Sequence, residues 1–232
     1  MEQNRVRIAD IADTLGLSTA TVSNVIHGKT QKISAATVKR VEQELEKTGY
    51  IPNMAGILLA QNNSRIIGVV MNDHFKYEGR ILEDGYVMSS LNALSQEINE
   101  KGYFLMIKTT SDIREIPVFA SMWNMDGLIL MGFCETDYET LRSHMHIPFV
   151  AYDGYFEKEP QGGMVNLVID HRDGGFQAGA YLRSLGHRRA LCIADNLICM
   201  DWERITGFCS AFAPGETQIW QIPNTKEERE RY

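Results

Sequence analysis

The chain has 232 residues, a formal net charge of −7, 44% hydrophobic and 23% charged residues. That length exceeds one typical domain, and an acidic balance taken alone argues against a nucleic-acid partner. No apolar run reaches the roughly 18 residues of a membrane span and Met1 is followed by polar residues, so a cytoplasmic protein with no membrane partner is expected. The four cysteines show no CxxC spacing and no histidine at ligand intervals, which points to reduced, buried thiols and no metal. With no Walker or GxGxxG loop, no cofactor is expected.

In chain order, Ile8, Ile11, Ala12 and Leu15 recur at spacings of three and four and line one face of a first helix. Gly16 allows the positive φ that stops it, Leu17 plugs a small core, and Ser18 is a good N-cap for a second helix. Val22, Val25 and Ile26 continue the apolar face, leaving Thr19, Ala20, Ser23 and Asn24 outward. A third pattern opens at Ser34 and buries Val38, Val41 and Leu45. This is the build of a helix-turn-helix, whose second helix fits the major groove of DNA. Charge agrees: no acidic residue lies between Asp13 and Glu42, where Lys29, Lys32, Lys39 and Arg40 fall. Residues 1–65 carry eight basic and six acidic side chains, and residues 66–232 carry 15 and 24. A basic face on an otherwise acidic chain fits a small DNA reader joined to a solvated sensor; the alternative is a three-helix packing module without ligand.

The residues Asp10, Ala12, Gly16, Leu17, Ser18, Ala20, Thr21, Val22 and Ser23, followed by Tyr50, Pro52 and Asn53, carry a resemblance to the headpiece of the LacI/GalR (lactose-repressor) family of bacterial transcription regulators. That resemblance implies that Thr19, Ala20 and Asn24 reach base edges, while Ser18, Thr21, Ser23, Ser34 and Thr37 hold phosphates. Tyr50 and Asn53 join the DNA-binding set at the signature before the hinge. Two departures stand out: Asn24 replaces a frequent Arg, weakening or redirecting a guanine contact, and Arg7 replaces the usual Ser or Thr cap of the first helix. Residues 53–64 match the family's hinge, with Leu59 placed to wedge into the minor groove. Gly56 and Ile57 depart from the hinge pattern, and Gly costs about 1 kcal/mol against Ala in a helix, so this hinge should be harder to order. A plain linker is the other reading of the same stretch.

After the linker, strand patterns at Ile66–Met71, Tyr103–Lys108, Gly127–Met131, Pro148–Tyr152, Val165–Ile169 and Ala190–Ala194 alternate with helical ones near 81–101, 174–185 and 203–212. Strands separated by helices predict parallel sheets with a ligand at the strands' carboxyl ends. The expected fold class is therefore α/β: a three-helix headpiece at 1–52, a hinge at 53–64, and an effector domain at 65–232. The resemblance makes that domain similar to periplasmic binding proteins, with an N-subdomain at 65–153 and a partial C-subdomain at 154–232. It implies an effector site bordered by Asn72, Asp73 and Asp153, with Arg204 as the main polar clamp. The plainer readings are a turn carboxylate for Asp153 and a surface ion pair of Arg204 with Asp201 or Glu203; His187, Arg188 and Arg189 read as a turn.

The family's chains run further than this one, so a fragment or a shortened product is expected, with an exposed edge on the second sheet; in a shortened product effector binding and dimer formation are both in question. The function implied is a sequence-specific repressor, assembled as a homodimer on a pseudo-palindromic duplex and switched by a small carbohydrate effector. The alternative is a truncated small-molecule sensor with weak or no specific DNA binding. An enzyme using Asp153, Asp170 and His171 is a third reading, and a non-enzymatic role is the expectation.

Overall fold

The computed structural model describes residues 6–51, 64–158 and 164–231, and the chain divides into two compact units, 1–62 and 63–232. The expected hinge, with Asn53 and Leu59, lies outside the described residues.

In the first unit, α1 (Ile8–Leu15), α2 (Thr19–Ile26) and α3 (Ala35–Thr48) close on Ile11, Ala12, Val22, Val25 and Val41. Their ends are set by local chemistry. Gly16 adopts φ 63° and, with the Leu17 amide donating to the Ala12 carbonyl at 2.9 Å, reverses the chain within two residues. The Ser18 hydroxyl accepts the Thr21 amide at 3.1 Å, and Ser34 accepts that of Thr37 at 3.2 Å, so both expected N-caps are present. At Arg7, which offers no side-chain acceptor, Asp10 instead accepts the Arg7 amide at 2.8 Å, which is half of a capping box. Arg40 reaches from α3 to donate to the Leu15 carbonyl at 2.9 Å, placing a cation on the negative end of α1.

The second unit is α/β, as the alternating pattern predicts. Strands β1 (Ile66–Asn72), β2 (Phe104–Thr110), β3 (Gly127–Met131), β4 (Phe149–Tyr152) and β5 (Val165–Leu167) form a parallel sheet in the order β2-β1-β3-β4-β5. Alternation along β1 sends Ile66 and Val70 to one face and Val69 and Met71 to the other. The first face is covered by α5 (Glu115–Met122) and α6 (Glu135–His144) through Ile116, Tyr138 and Leu141. The second is covered by α4 (Gly85–Glu100) through Val87 and Leu91. Gly68 is required where β1 lies beside β3, since a Cβ there would stand 2.5 Å from the side chain of its register partner Leu128.

A second, two-stranded parallel sheet joins β6 (Arg189–Ala194) to β7 (Glu216–Gln221), with α7 (His171–Ser184) and α8 (Cys199–Phe212) packed on each other, and a short α9 (Lys226–Glu230) follows. The two helices touch backbone to backbone: a Cβ on Gly175 would overlap the Arg204 carbonyl, and one on Gly207 the Arg172 carbonyl. The expected exposure of this sheet is present, with Leu191, Ile193 and Trp220 on one open face.

Several sequence boundaries move. The helix expected from Ile81 begins at Gly85, because Asp84 accepts the amides of Tyr86 and Val87 and fixes the cap. Likewise α7 starts at His171 because Asp170 caps it, and α8 starts at Cys199 rather than near Glu203. Helices α5 and α6 and strand β7 have no counterpart in the sequence pattern. Since β5 pairs with β4, the first sheet continues beyond residue 153, and the division between the two sheets falls between Leu167 and Arg189. The thiols are free, but Cys134 and Cys199 are exposed and Cys192 and Cys209 half-buried, so the expected burial does not hold. Cys134 sits at the start of α6, where its Sγ donates to Asp137 at 2.9 Å.

Candidate DNA-reading helix and effector cleft

Two places gather the sequence-predicted residues, one in each unit. On α2, burial of Val22 and Val25 fixes the helix rotation, and Thr19, Ala20 and Asn24 are left exposed together with Ser18. Thr21 and Ser23 are half-buried, and the Thr21 hydroxyl is 2.9 Å from that of Ser18. Ser34 and Thr37 repeat that hydroxyl pair at 2.8 Å on the start of α3. Each pair leaves hydroxyls at a helix N-terminus, the arrangement that receives a phosphate oxygen. Lys29, Lys32, Lys39 and Arg40 are all exposed. Tyr50 differs from the others: it is half-buried and packs on the three-helix core.

The second unit carries a cleft of about 700 Å³. Asn72, Asp153 and Arg204 line it, and Asp73 does not. Successive residues at a strand end face opposite ways; the Asp73 amide donates to the Thr110 carbonyl at 3.2 Å, and its Oδ1 is buried without a partner among the described residues. The Asn72 side chain donates to the Gly132 carbonyl at 2.9 Å, which fixes its amide. Asp153 follows β4 with φ 54°, a left-handed conformation that Asp tolerates better than most residues, and its amide donates to the Leu167 carbonyl at 2.7 Å.

One residue that sequence reasoning placed only in the enzyme alternative lies between these groups. His171, capped into place by Asp170, is 3% exposed. Its Nε2 is 2.9 Å from Asp153 Oδ1, and Arg204 Nε donates to its Nδ1 at 3.1 Å. An arginine Nε always carries hydrogen, so Nδ1 accepts and Nε2 is the nitrogen that donates to Asp153. Arg204 Nη1 also donates to Asp201 at 2.9 Å, so the plainer ion pair is present as well, and among the described residues no hydrogen bond engages Nη2. The close glycine contact of α7 with α8 is what brings Arg204 within reach of His171.

Tyr77 and Tyr86 also line the cleft. Burial first, then the Asp153 charge, push the Tyr86 hydroxyl above its ordinary range, so it remains a neutral donor. Burial, then Lys76, lowers His74, with Asp195 opposing, so His74 is neutral near pH 7. Among the described residues no group of three or more His, Cys, Asp or Glu could hold a metal ion.

Known proteins resemble both parts. The family described as bacterial regulatory proteins, lacI family, matches residues 7–53. The maltose regulon regulatory protein MalI of Vibrio furnissii is 35% identical over 115 residues, covering 50% of this chain and 77% of MalI. The chain belongs to the LacI family. The transcriptional regulator PtxS of Pseudomonas plecoglossicida is 29% identical over 91% of this chain and 61% of its own length. For the transcriptional repressor PurR of Vibrio parahaemolyticus the identity is 28%, over 91% of this chain and 62% of PurR. The chain thus spans about three fifths of the length of these two relatives. All three are described as regulators rather than enzymes. Among solved LacI-family structures, the lac repressor dimer bound to operator and the anti-inducer ONPF superposes with a TM-score of 0.76 at 20% identity, over 94% of this chain and 66% of that one. That likeness, with one at a TM-score of 0.56 and 19% identity to a periplasmic binding ribose operon repressor protein of Lactobacillus acidophilus over 71% of this chain and 59% of that one, shows the fold: a helix-turn-helix followed by a domain of the periplasmic-binding-protein type.

Proposed function

We propose that this LacI-family chain reads a duplex sequence through α2 and reports a small effector through the cleft, acting as a transcriptional repressor. The domain division proposed is a headpiece at 1–52, a hinge at 53–64 and an effector domain at 65–232. The observation that carries this reading is the exposed row Thr19, Ala20 and Asn24 on a helix whose opposite face is buried. Side chains on such a row reach base edges in the major groove, with Ser18, Thr21, Ser23, Ser34 and Thr37 setting register on phosphates. Asn24 offers the amide that pairs bidentately with adenine. Asn53 and Leu59 belong to the same proposal through the hinge, and Tyr50 serves it by bracing the core rather than by reaching the duplex.

Lac repressor has been solved as a dimer on its operator, and the regulator CelR in complex with cellobiose. By analogy, the proposed partners are a pseudo-palindromic duplex, a second copy of this chain and a carbohydrate. Two half-sites related by a two-fold axis match a two-fold protein. Charge narrows the effector further. The cleft presents Asp84, Asp153, Asp195 and Asp201 against Lys76 and Arg204, and both cations are paired, Lys76 with Asp195 at 4.0 Å and Arg204 with Asp201. An anionic ligand would meet net negative charge, whereas a neutral sugar finds acceptors, the Arg204 Nη2 donor and aromatic side chains. In this reading the cleft binds and does not turn its ligand over, and the protein works beside its DNA in the cytoplasm. Among the described residues no helix is long and apolar enough to cross a membrane.

Effector control follows from linkage: a ligand changes operator affinity only by its differential affinity for the two arrangements. Selection of duplexes from a random pool, with and without neutral sugars, tests both halves. A recovered pseudo-palindrome whose retention falls with one of the sugars supports the reading. Recovery of unrelated sequences leaves the small-molecule sensor in its place.

A further inference from the structure

Neither base reading nor ligand contact accounts for His171, whose side chain is 1% exposed and does not line the cleft. We propose that His171 is the positioning residue of the effector cleft, a neutral imidazole protonated on Nε2 that ties Asp153 to Arg204 across the two sheets' elements. The proposal rests on the effector reading of the cleft.

The geometry assigns each nitrogen one task. Nε2 lies 2.9 Å from the Asp153 carboxylate at the end of β4, and Nδ1 receives the Arg204 Nε hydrogen at 3.1 Å from α8. An imidazolium would set two N–H groups against each other at the second contact. These are the two charged groups that face the ring from neighbouring elements, with Asp201 one bond further on Arg204 Nη1. The ring is 1% exposed while the Arg204 side chain is half exposed, so removing the ring opens the Arg204 Nε hydrogen to water and leaves the Asp153 carboxylate without this donor. Asp170 holds the ring at the first position of α7 by accepting the Asp173 amide at 2.8 Å.

The consequence is a long side chain fixed at two of its three nitrogens. His171 orients Arg204 through Nε and Asp201 through Nη1, which leaves Nη2 as the donor for an effector. A preorganised guanidinium loses less freedom on binding than one that must be ordered by the ligand. Because Asp153 follows the five-stranded sheet and Arg204 belongs to α8, a ligand that draws on either group also acts on the link between them.

The test needs neither DNA nor a sugar. Long-range proton–nitrogen correlation on the whole chain at pH 7.5 reads which imidazole nitrogen carries hydrogen. The expected result is Nε2 protonated, Nδ1 bare, and an Arg204 Nε–H that exchanges slowly with water. His171→Asn, which keeps an acceptor near the Nδ1 position, should hold that exchange within about threefold of wild type, whereas His171→Phe should speed it about tenfold or more, as for loss of one charge-assisted hydrogen bond. Protonation on Nδ1, an imidazolium at this pH, or unchanged Arg204 exchange in His171→Phe would overturn the proposal. Should His171→Phe fail to fold by circular dichroism, the wild-type tautomer decides alone. Absence of binding when cellobiose and other neutral sugars are titrated into the wild-type chain would strike the effector reading instead, and leaves these signals readable.

Discussion

The two sheets of the second unit follow the same strand–helix–strand grammar and end in different states. In the five-stranded sheet, β1 and β3 lie between helices on both faces, and Val70, Val69 and Leu130 are fully buried. In the two-stranded sheet, Leu191, Ile193 and Trp220 are 42%, 56% and 57% exposed, and the tightest packing is between α7 and α8 rather than against strands. Burial against strands therefore holds the first region together, while the second relies on the close approach of α7 and α8, where glycines of each helix meet the other's backbone and Ile205 and Phe212 are buried. The cleft draws residues from both, so its geometry depends on two unlike sources of rigidity.

The largest expected effect separates the two sheets. Leu130→Ala should cost about 3–4 kcal/mol in urea unfolding, as a fully buried leucine leaves a cavity. Leu191→Ala on the open face should cost less than about 0.5 kcal/mol. Equal losses would dissolve the distinction. Next comes the helix pair: Gly175→Ala should destabilise by about 1–3 kcal/mol because the added Cβ meets the Arg204 carbonyl. Its neighbour is the control, for Gly174 has nothing within 4 Å of an added Cβ. Gly174→Ala should be neutral or stabilise by up to about 1 kcal/mol, and a shared sign at the two glycines would contradict the close-contact account.

A smaller effect belongs to the first unit. Ser18→Ala should cost about 1 kcal/mol, because the Thr21 amide loses its acceptor. Thr19→Ala, exposed and uninvolved in a cap, should leave stability within about 0.5 kcal/mol while weakening duplex binding. If Thr19→Ala instead unfolds the unit, its role is structural.

These contrasts also mark how far the sequence could be read. The three-helix unit was legible because short helices declare their ends through Gly16, Ser18 and Ser34, and because its core repeats at three and four. The central strands β1 and β3 were legible as apolar runs between turns. Strand β7, Glu-Thr-Gln-Ile-Trp-Gln, was not, since its largely exposed residues leave no alternation to detect. Helices α5 and α6 were missed for a related reason: α5 holds Pro117 near its start and α6 is rich in charge with only Tyr138 and Leu141 buried. At the cleft, Asn72 and Asp153 were legible through the family resemblance, since a polar residue after an apolar strand reads equally well as a turn. Asp73 was not separable from Asn72, because which of two neighbours turns inward depends on strand rotation. His171 left a signal, an imidazole beside the Asp170 cap, but its meeting with Arg204 depends on the glycine contacts of α7 and α8, which no spacing announces.

The central claim is that α2 distinguishes one duplex from another. Fluorescence anisotropy of an enriched pseudo-palindrome against a scrambled duplex, at near-physiological salt, measures that directly. The account predicts a preference of roughly a thousandfold or more, with affinity for both duplexes falling steeply as salt rises and the preference shrinking in Asn24→Ala. Equal affinity for the two duplexes, unchanged by Asn24→Ala, would contradict it.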